Sequence, residues 1–209
     1  MVHVLRSRGD MPLGGLLTTI NDPAQRVAMH AVRVELLEAQ AATLGLPLWK
    51  IAIPSPCSNE AYEAAMSAAV ARAVGEGFTH VAFADLFLAD IRKYREERLA
   101  GTGLTPVFPL FGDASATPQL AREMMAGGLC ARITCVDPKQ LDRRFAGREF
   151  DAALLEDLPA GADPCGERGE FHTFAYDGPM FSHAIGVESG VTVERDGFVF
   201  TDLLKSTQS

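Results

Sequence analysis

No stretch of the 209-residue chain stays apolar long enough to span a bilayer, and the N-terminus lacks the apolar core of a secretory leader. Cytoplasm is therefore the expected compartment, and no membrane is expected among the partners. No block of Lys and Arg interleaves with aromatics. Net charge is -8, from 19 basic and 27 acidic residues, so binding to nucleic-acid phosphates is not expected. Cysteine is scarce. Cys57, Cys130, Cys135 and Cys165 form no C-x-x-C pair and read as free thiols. A zinc site on Cys165 and His172 lacks a second ligand pair, so no metal centre of this type is expected. Internal repeats and low-complexity segments are absent too. What remains is ordinary globular composition, 47% hydrophobic and 22% charged, enough for one large domain or two small ones.

The punctuation of the chain predicts its elements. Met1 to Arg8 reads as the end of a helix stopped by Gly9. Leu13 to Ile20 is an apolar, β-branched strand. Asp22 as cap and Pro23 at the first position start a helix that runs to about Leu44. Its buried stripe is Val27, Ala31, Val34, Leu37, Ala41 and Leu44. Leu46 to Ile53 is a second strand. Ser58 caps a helix from Asn59 to Val74. Phe78 to Phe83 is a third strand, Phe87 to Leu99 a helix with a charged outer face, and Thr105 to Leu110 a fourth strand. This alternation predicts an α/β domain with a parallel sheet.

The polar stretch Asp113 to Pro118 marks a domain change. The expected division is residues 1–112 and 113–209. The second part reads as α+β, with a short helix to Ala126, a strand from Leu129 to Val136, short helical pieces between Gln140 and Leu158, and a hairpin around Asp196-Gly197.

Within that second part lies ADPCGERGEFHTFAYDGPMF, residues 162–181. It sets Glu167 and Glu170 three positions apart, beside Gly166 and Gly169, with His172 and Thr173 directly after. Glycine permits tight turns and close approach to a ligand. The residues alone leave two readings open: a surface turn with solvated glutamates, or a built loop that presents carboxylates ahead of a buried strand.

The run Cys165-Gly166-Glu167-Arg168-Gly169-Glu170-Phe171-His172-Thr173 resembles the Glu-Gly-Gly-Glu signature of the diphthine–ammonia ligase family, which belongs to the PP-loop ATP pyrophosphatases, or adenine nucleotide alpha hydrolase-like proteins. GLLTTIN (15–21), RVAMH (26–30), ADLFLADIRKYRE (84–96) and PVFPLFG (106–112) resemble the same family in the same order. The resemblance implies a Rossmann-like (HUP-type) parallel sheet with helices on both faces, followed by the smaller α+β domain. It also implies an ATP-dependent ligase that adenylates a carboxylate for attack by ammonia or an amine. ATP and Mg²⁺ are the implied cofactors. The implied partners are a small-molecule or protein carboxylate and an amine donor, and a homodimer stays open.

Ligands of such sheets sit at the carboxyl ends of the strands. The resemblance places adenine against Leu17, Thr18 and Thr19, and His30 toward the nucleotide. Asp85, after the third strand, is the residue to hold Mg²⁺ or orient an amine; the family usually has Gly where Ala84 precedes it. Arg95, like Arg92, is placed to reach a phosphate or carboxylate. Glu167 and Glu170 are implied to meet the acceptor or its amine, with Gly169 and Thr173 against the substrate and His172 as a proton acceptor or orienting group. The position of His172 is often Glu in the family. Arg168 stands where the family has a small or neutral residue and implies an anionic substrate.

One expected part is not in the sequence. The family opens with a strand and a Ser-Gly-Gly-Lys-Asp-Ser-type loop whose N–H groups cradle phosphates. Here the early glycine pair, Gly14-Gly15, lies in an apolar strand with no lysine or serine after it. The family pattern enters midway through its first helix, so an upstream strand and phosphate loop are the expectation. The alternative is a catalytically inactive nucleotide- or partner-binding module.

Overall fold

The computed structural model describes residues 1–21, 26–27 and 30–206. The predicted opening helix is α1 (Val2–Arg8). It ends where Gly9 turns left-handed, at φ 68°, and returns its N–H to the Leu5 carbonyl. Strand β1 (Leu16–Asn21) then pairs in parallel with β3 (Leu48–Ile53) over six residues. Gly14, just ahead of β1, meets the Phe78 ring so closely that a Cβ there would lie 2.4 Å from it. Only glycine permits that approach.

The helix expected from Asp22 to Leu44 is corrected. Asp22, Pro23 and Gln25 lie outside the described residues. Arg26–Val27 form a short strand, β2, antiparallel to the end of β1. Ala31 takes φ 54°, which no helix accommodates, and α2 begins only at Val34, ending at Leu44. Propensity is overruled by tertiary contact here. Arg26 and Arg33 are both tied to Asp202, far along the chain. The deepest residue of α2 is accordingly Leu36, not Leu37.

Helix α3 (Asn59–Gly75) starts as expected, with Ser58 Oγ accepting from Ala61 N at 3.2 Å. Strand β4 (His80–Ala82) pairs in parallel with β5 (Thr105–Val107), and α4 (Ala89–Leu99) crosses between them.

The single parallel sheet expected from the alternation is also corrected. The strands form one sheet in the order β2-β1-β3 and a separate pair, β4-β5. Leu16 N donates to Pro47 O, so the period of two turns the backbone groups of Leu17 and Thr19 away from β3. Phe83 N donates to Val107 O and Thr105 N to Thr79 O, which turns those of His80 and Ala82 away from β5. An apolar cleft of about 330 Å³ lies between the two pairs, lined by Leu16, Leu17, Val81 and Phe83 and by Leu5 and Val70 from the helices. Division at this cleft is the reason a continuous Rossmann sheet is not formed.

The remainder is an antiparallel layer. Helix α5 (Thr117–Ala126) leads into β6 (Cys130–Val136), and α6 (Ala152–Asp157) follows after a 3-10 turn at Arg143–Phe145. Strands β7 (Phe171–Asp177), β8 (Val187–Arg195) and β9 (Phe198–Lys205) complete a sheet of order β7-β6-β9-β8. Asp196 and Gly197 both take positive φ, 56° and 82°, as a two-residue I′ hairpin turn demands. Ile133, Val136, Phe145, Leu154, Phe171 and Val199 build its core. A second cluster joins the halves: Val32 and Leu36 pack on Phe174, Ile185 and Leu203. That contact sets α2 and the turn before it against the sheet that carries the signature loop.

Candidate functional site

The loop between α6 and β7 is closed by its own carboxylates. Glu170 is 2% exposed. Its Oε1 accepts from Asp163 N at 2.8 Å and its Oε2 from Arg168 N at 3.0 Å. Asp163, also buried, returns the arrangement by accepting from Cys165 N at 3.0 Å and Glu167 N at 3.4 Å. Gly166 stands inside this ring at φ 68°, where a Cβ would lie 2.6 Å from Phe171 O, so the turn admits no side chain. Four backbone N–H groups thereby find charged acceptors without any ligand. Glu170 thus acts inside the loop, and Asp163, not singled out from sequence, is its counterpart. The spacing Asp163 to Glu170 across two glycines was the available signal.

Glu167 points the other way. Its carboxylate accepts from the backbone N–H of Leu86, at 2.7 Å, and of Phe87. Those residues directly follow Asp85, so the loop is fastened to the carboxyl end of β4. Burial pushes the Glu167 carboxyl above its ordinary pKa; the two N–H groups oppose this, and the negative charges of Asp85 and Asp163 add to it. Asp85 is held by Arg95 in a two-pronged pair, 2.6 Å from Nε and 3.1 Å from Nη2. The Arg95 guanidinium also lies 4.4 Å from the centre of the Phe83 ring. Arg168 extends outward over Phe87 at 5.1 Å.

The structure brings His30 and His172 together. Their ring centroids are 4.3 Å apart, tilted by 31°. His30 is not on a helix, as expected from sequence, but in the turn between β2 and α2. Burial, and then the neighbouring His172, lowers its pKa to about 4. Burial lowers that of His172 as well. Both imidazoles are therefore neutral near pH 7 and able to accept a proton. Thr173 is opposite Ile133 in the β6–β7 ladder, and Gly169 faces open space.

The adenine-side residues are less grouped. Thr18 and Thr19 lie within β1, whose end is Asn21. Leu17 is 43% exposed and lines the apolar cleft. Asn21 Oδ1, not foreseen, is buried at the end of β1 without a hydrogen-bond partner among the described residues. Asp202 is a further residue that the sequence did not mark.

Two of the four thiols are held in the unreactive protonated form. Burial pushes Cys135 up to about 11 and Cys165 up to about 12. Among the described residues no group of three or more His, Cys, Asp or Glu could hold a metal ion. Among them, too, no helix is long and apolar enough to cross a membrane.

No curated protein matches the chain. Residues 116–204, which take in α5, nearly all of the antiparallel sheet and the whole Asp163–Glu170 loop, match the family model of the diphthamide synthase C-terminal domain.

Proposed function

We propose that this chain handles the acceptor in an ATP-dependent, amide-forming ligation, in which a carboxylate is joined to ammonia or an amine. The carrying observation is the Glu167 carboxylate on the N–H groups of Leu86 and Phe87. It sets the signature loop beside the Asp85–Arg95 pair, at the strand ends where α/β sheets take ligands. The match over residues 116–204 supports the same class.

ATP, when bound, supplies the activation of the carboxylate. Its adenine end suits these residues: Asn21 Oδ1, without a partner among the described residues, can accept from an exocyclic amine at the end of β1. Its phosphate end does not. Gly14 packs on Phe78 and Gly15 on Pro47, which leaves no cradle there. Both oxygens of Asp85 accept from Arg95, so Mg²⁺ at Asp85 would have to share that carboxylate with the guanidinium or displace it. In the acceptor site, Glu167 orients the loop and the incoming amine. His172, kept neutral by burial, takes the amine proton. Arg168, exposed at the rim, draws in an anionic acceptor. Glu170 holds the loop in shape.

The packed glycine pair favours one second reading, a nucleotide- or partner-binding module without turnover. Isothermal titration with AMP and with ATP, followed by a pyrophosphate assay with ammonia, separates the two. For this chain the expectation is AMP and ATP affinities within a few-fold of each other and no pyrophosphate. A chain extended upstream by a strand and a Gly-rich loop with Lys and Ser should gain both ATP preference and pyrophosphate release. Failure of the extended chain to turn over would favour the binding module. Pyrophosphate release by the present chain would show that another part of it holds phosphate.

A further inference from the structure

The His30–His172 pair depends on a turn that is fastened at both of its ends to one carboxylate. Arg26 Nη1 donates to Asp202 Oδ1 at 2.8 Å and also to Ala31 O at 2.7 Å. Arg33 donates from Nε to Oδ1 at 3.1 Å and from Nη2 to Oδ2 at 2.7 Å. Arg26 and Arg33 bridge each other, Val27 N donates to Val32 O, and Ala31 N donates to Val27 O. His30 stands inside this closed turn. Beside it, Ala31 is held at φ 54°, a conformation that an alanine keeps only where its surroundings impose it. Asp202 is on β9, in the same sheet as His172 on β7.

Two arginines converging on one carboxylate, on the strand next to a buried Leu203, exceed what a two-residue strand needs for attachment. We infer that Asp202 is a positioning residue: through Arg26 and Arg33 it sets the His30 imidazole on His172. The role is mechanical. Asp202 touches neither imidazole in the hydrogen-bond network; it fixes the frame of the turn that carries one of them. The pair of guanidiniums keeps Asp202 ionised, with its pKa down at about 2 despite burial, so the clamp is closed at any physiological pH. The functional weight of this arrangement rests on the reading above, in which His172 takes the amine proton; His30 acts by packing on that ring.

The test is imidazole NMR of the full chain, with an AMP titration alongside. In Asp202→Asn one acceptor oxygen becomes a donor facing guanidinium donors, and the turn should loosen. The mutual ring-current shifts of His30 and His172 should collapse. The His30 pKa should rise from about 4 by at least about one unit toward the exposed value. Asp202→Glu, which keeps the charge, should restore part of both. The methyl signals of Leu154, on α6 in the other core cluster, should stay in place, which marks an intact fold. If Asp202→Asn does not fold, Arg33→Gln decides, because Arg26 then still holds one end. Unchanged imidazole signals in a folded variant overturn the inference. Imidazole shifts with unchanged AMP affinity leave Asp202 as the positioning residue and remove His30 from the nucleotide side. A parallel loss of AMP affinity supports both.

Discussion

Glutamine at position 170 is the sharpest test of how the signature loop is built. Glu170 offers two charged oxygens to two N–H groups, those of Asp163 and Arg168, and is almost wholly buried. Glu170→Gln keeps the shape. Whichever way the amide is turned, one N–H then faces an NH₂ group. One charge-assisted bond is lost, worth about 1.5–3 kcal/mol, and one buried donor is left unsatisfied, at about 1–3 kcal/mol. The expected loss is about 2.5–6 kcal/mol, a large share of a typical domain stability of roughly 5–15 kcal/mol. Urea unfolding followed by circular dichroism should show a lower midpoint with an unchanged slope. Arg168→Ala is the control. It removes a half-exposed side chain that lies 3.8 Å from Glu170 Oε1 and over Phe87 but keeps the N–H that Glu170 accepts, so it should cost no more than about 1 kcal/mol. AMP affinity of a folded Glu170→Gln should stay within a few-fold, since the residue turns inward to its own loop. A stability loss below about 1 kcal/mol would refute the reasoning. It would mean that the carboxylate is solvated and free to meet a ligand directly.

Among the described residues the start of β1, at Leu16 and Leu17, and the outer side of β4 border an apolar cleft and should promote association between copies. Light scattering should rise with concentration, and Leu17→Lys, which puts a charge on the β1 edge, should reduce it; a strictly monomeric chain would contradict this. The Glu167 carboxyl holds its proton more tightly folded than unfolded, so its contribution to stability is fully present below the unfolded value near 4.5 and is lost as pH rises through the raised folded value. Urea midpoints from about pH 4 to about pH 7 should therefore fall more steeply in the wild type than in Glu167→Gln, and equal slopes would show that Glu167 is not buried against Leu86 and Phe87.

What the sequence determined by itself is local. Gly9 and Gly45 stop their helices in left-handed turns, Ser58 caps α3, and Asp196-Gly197 closes the last hairpin. Each of these outcomes is settled within a few residues, by sterics at one φ or by one side chain reaching its own backbone, so the residue types alone carry it. The glycine-punctuated carboxylates of residues 163–170 were legible as a tight loop for the same reason, but the residues alone did not decide between a solvated surface turn and a built loop, and Asp163 was not marked. Tertiary structure decided the rest. Which backbone donors Glu170 and Glu167 would meet depended on where the loop's N–H groups and the distant Leu86 point. Among the described residues β1 meets a second neighbour only at Ile20 and Asn21 and β4 pairs with β5 alone, so the sheet is divided; alternation of strands and helices does not encode lateral neighbours. The start of α2 moved from Asp22 to Val34 because Asp202, on the last strand, captured Arg26 and Arg33. Their spacing in the chain holds no trace of that partner, since an ion pair closing across about 170 residues is chosen by the packing of the two halves.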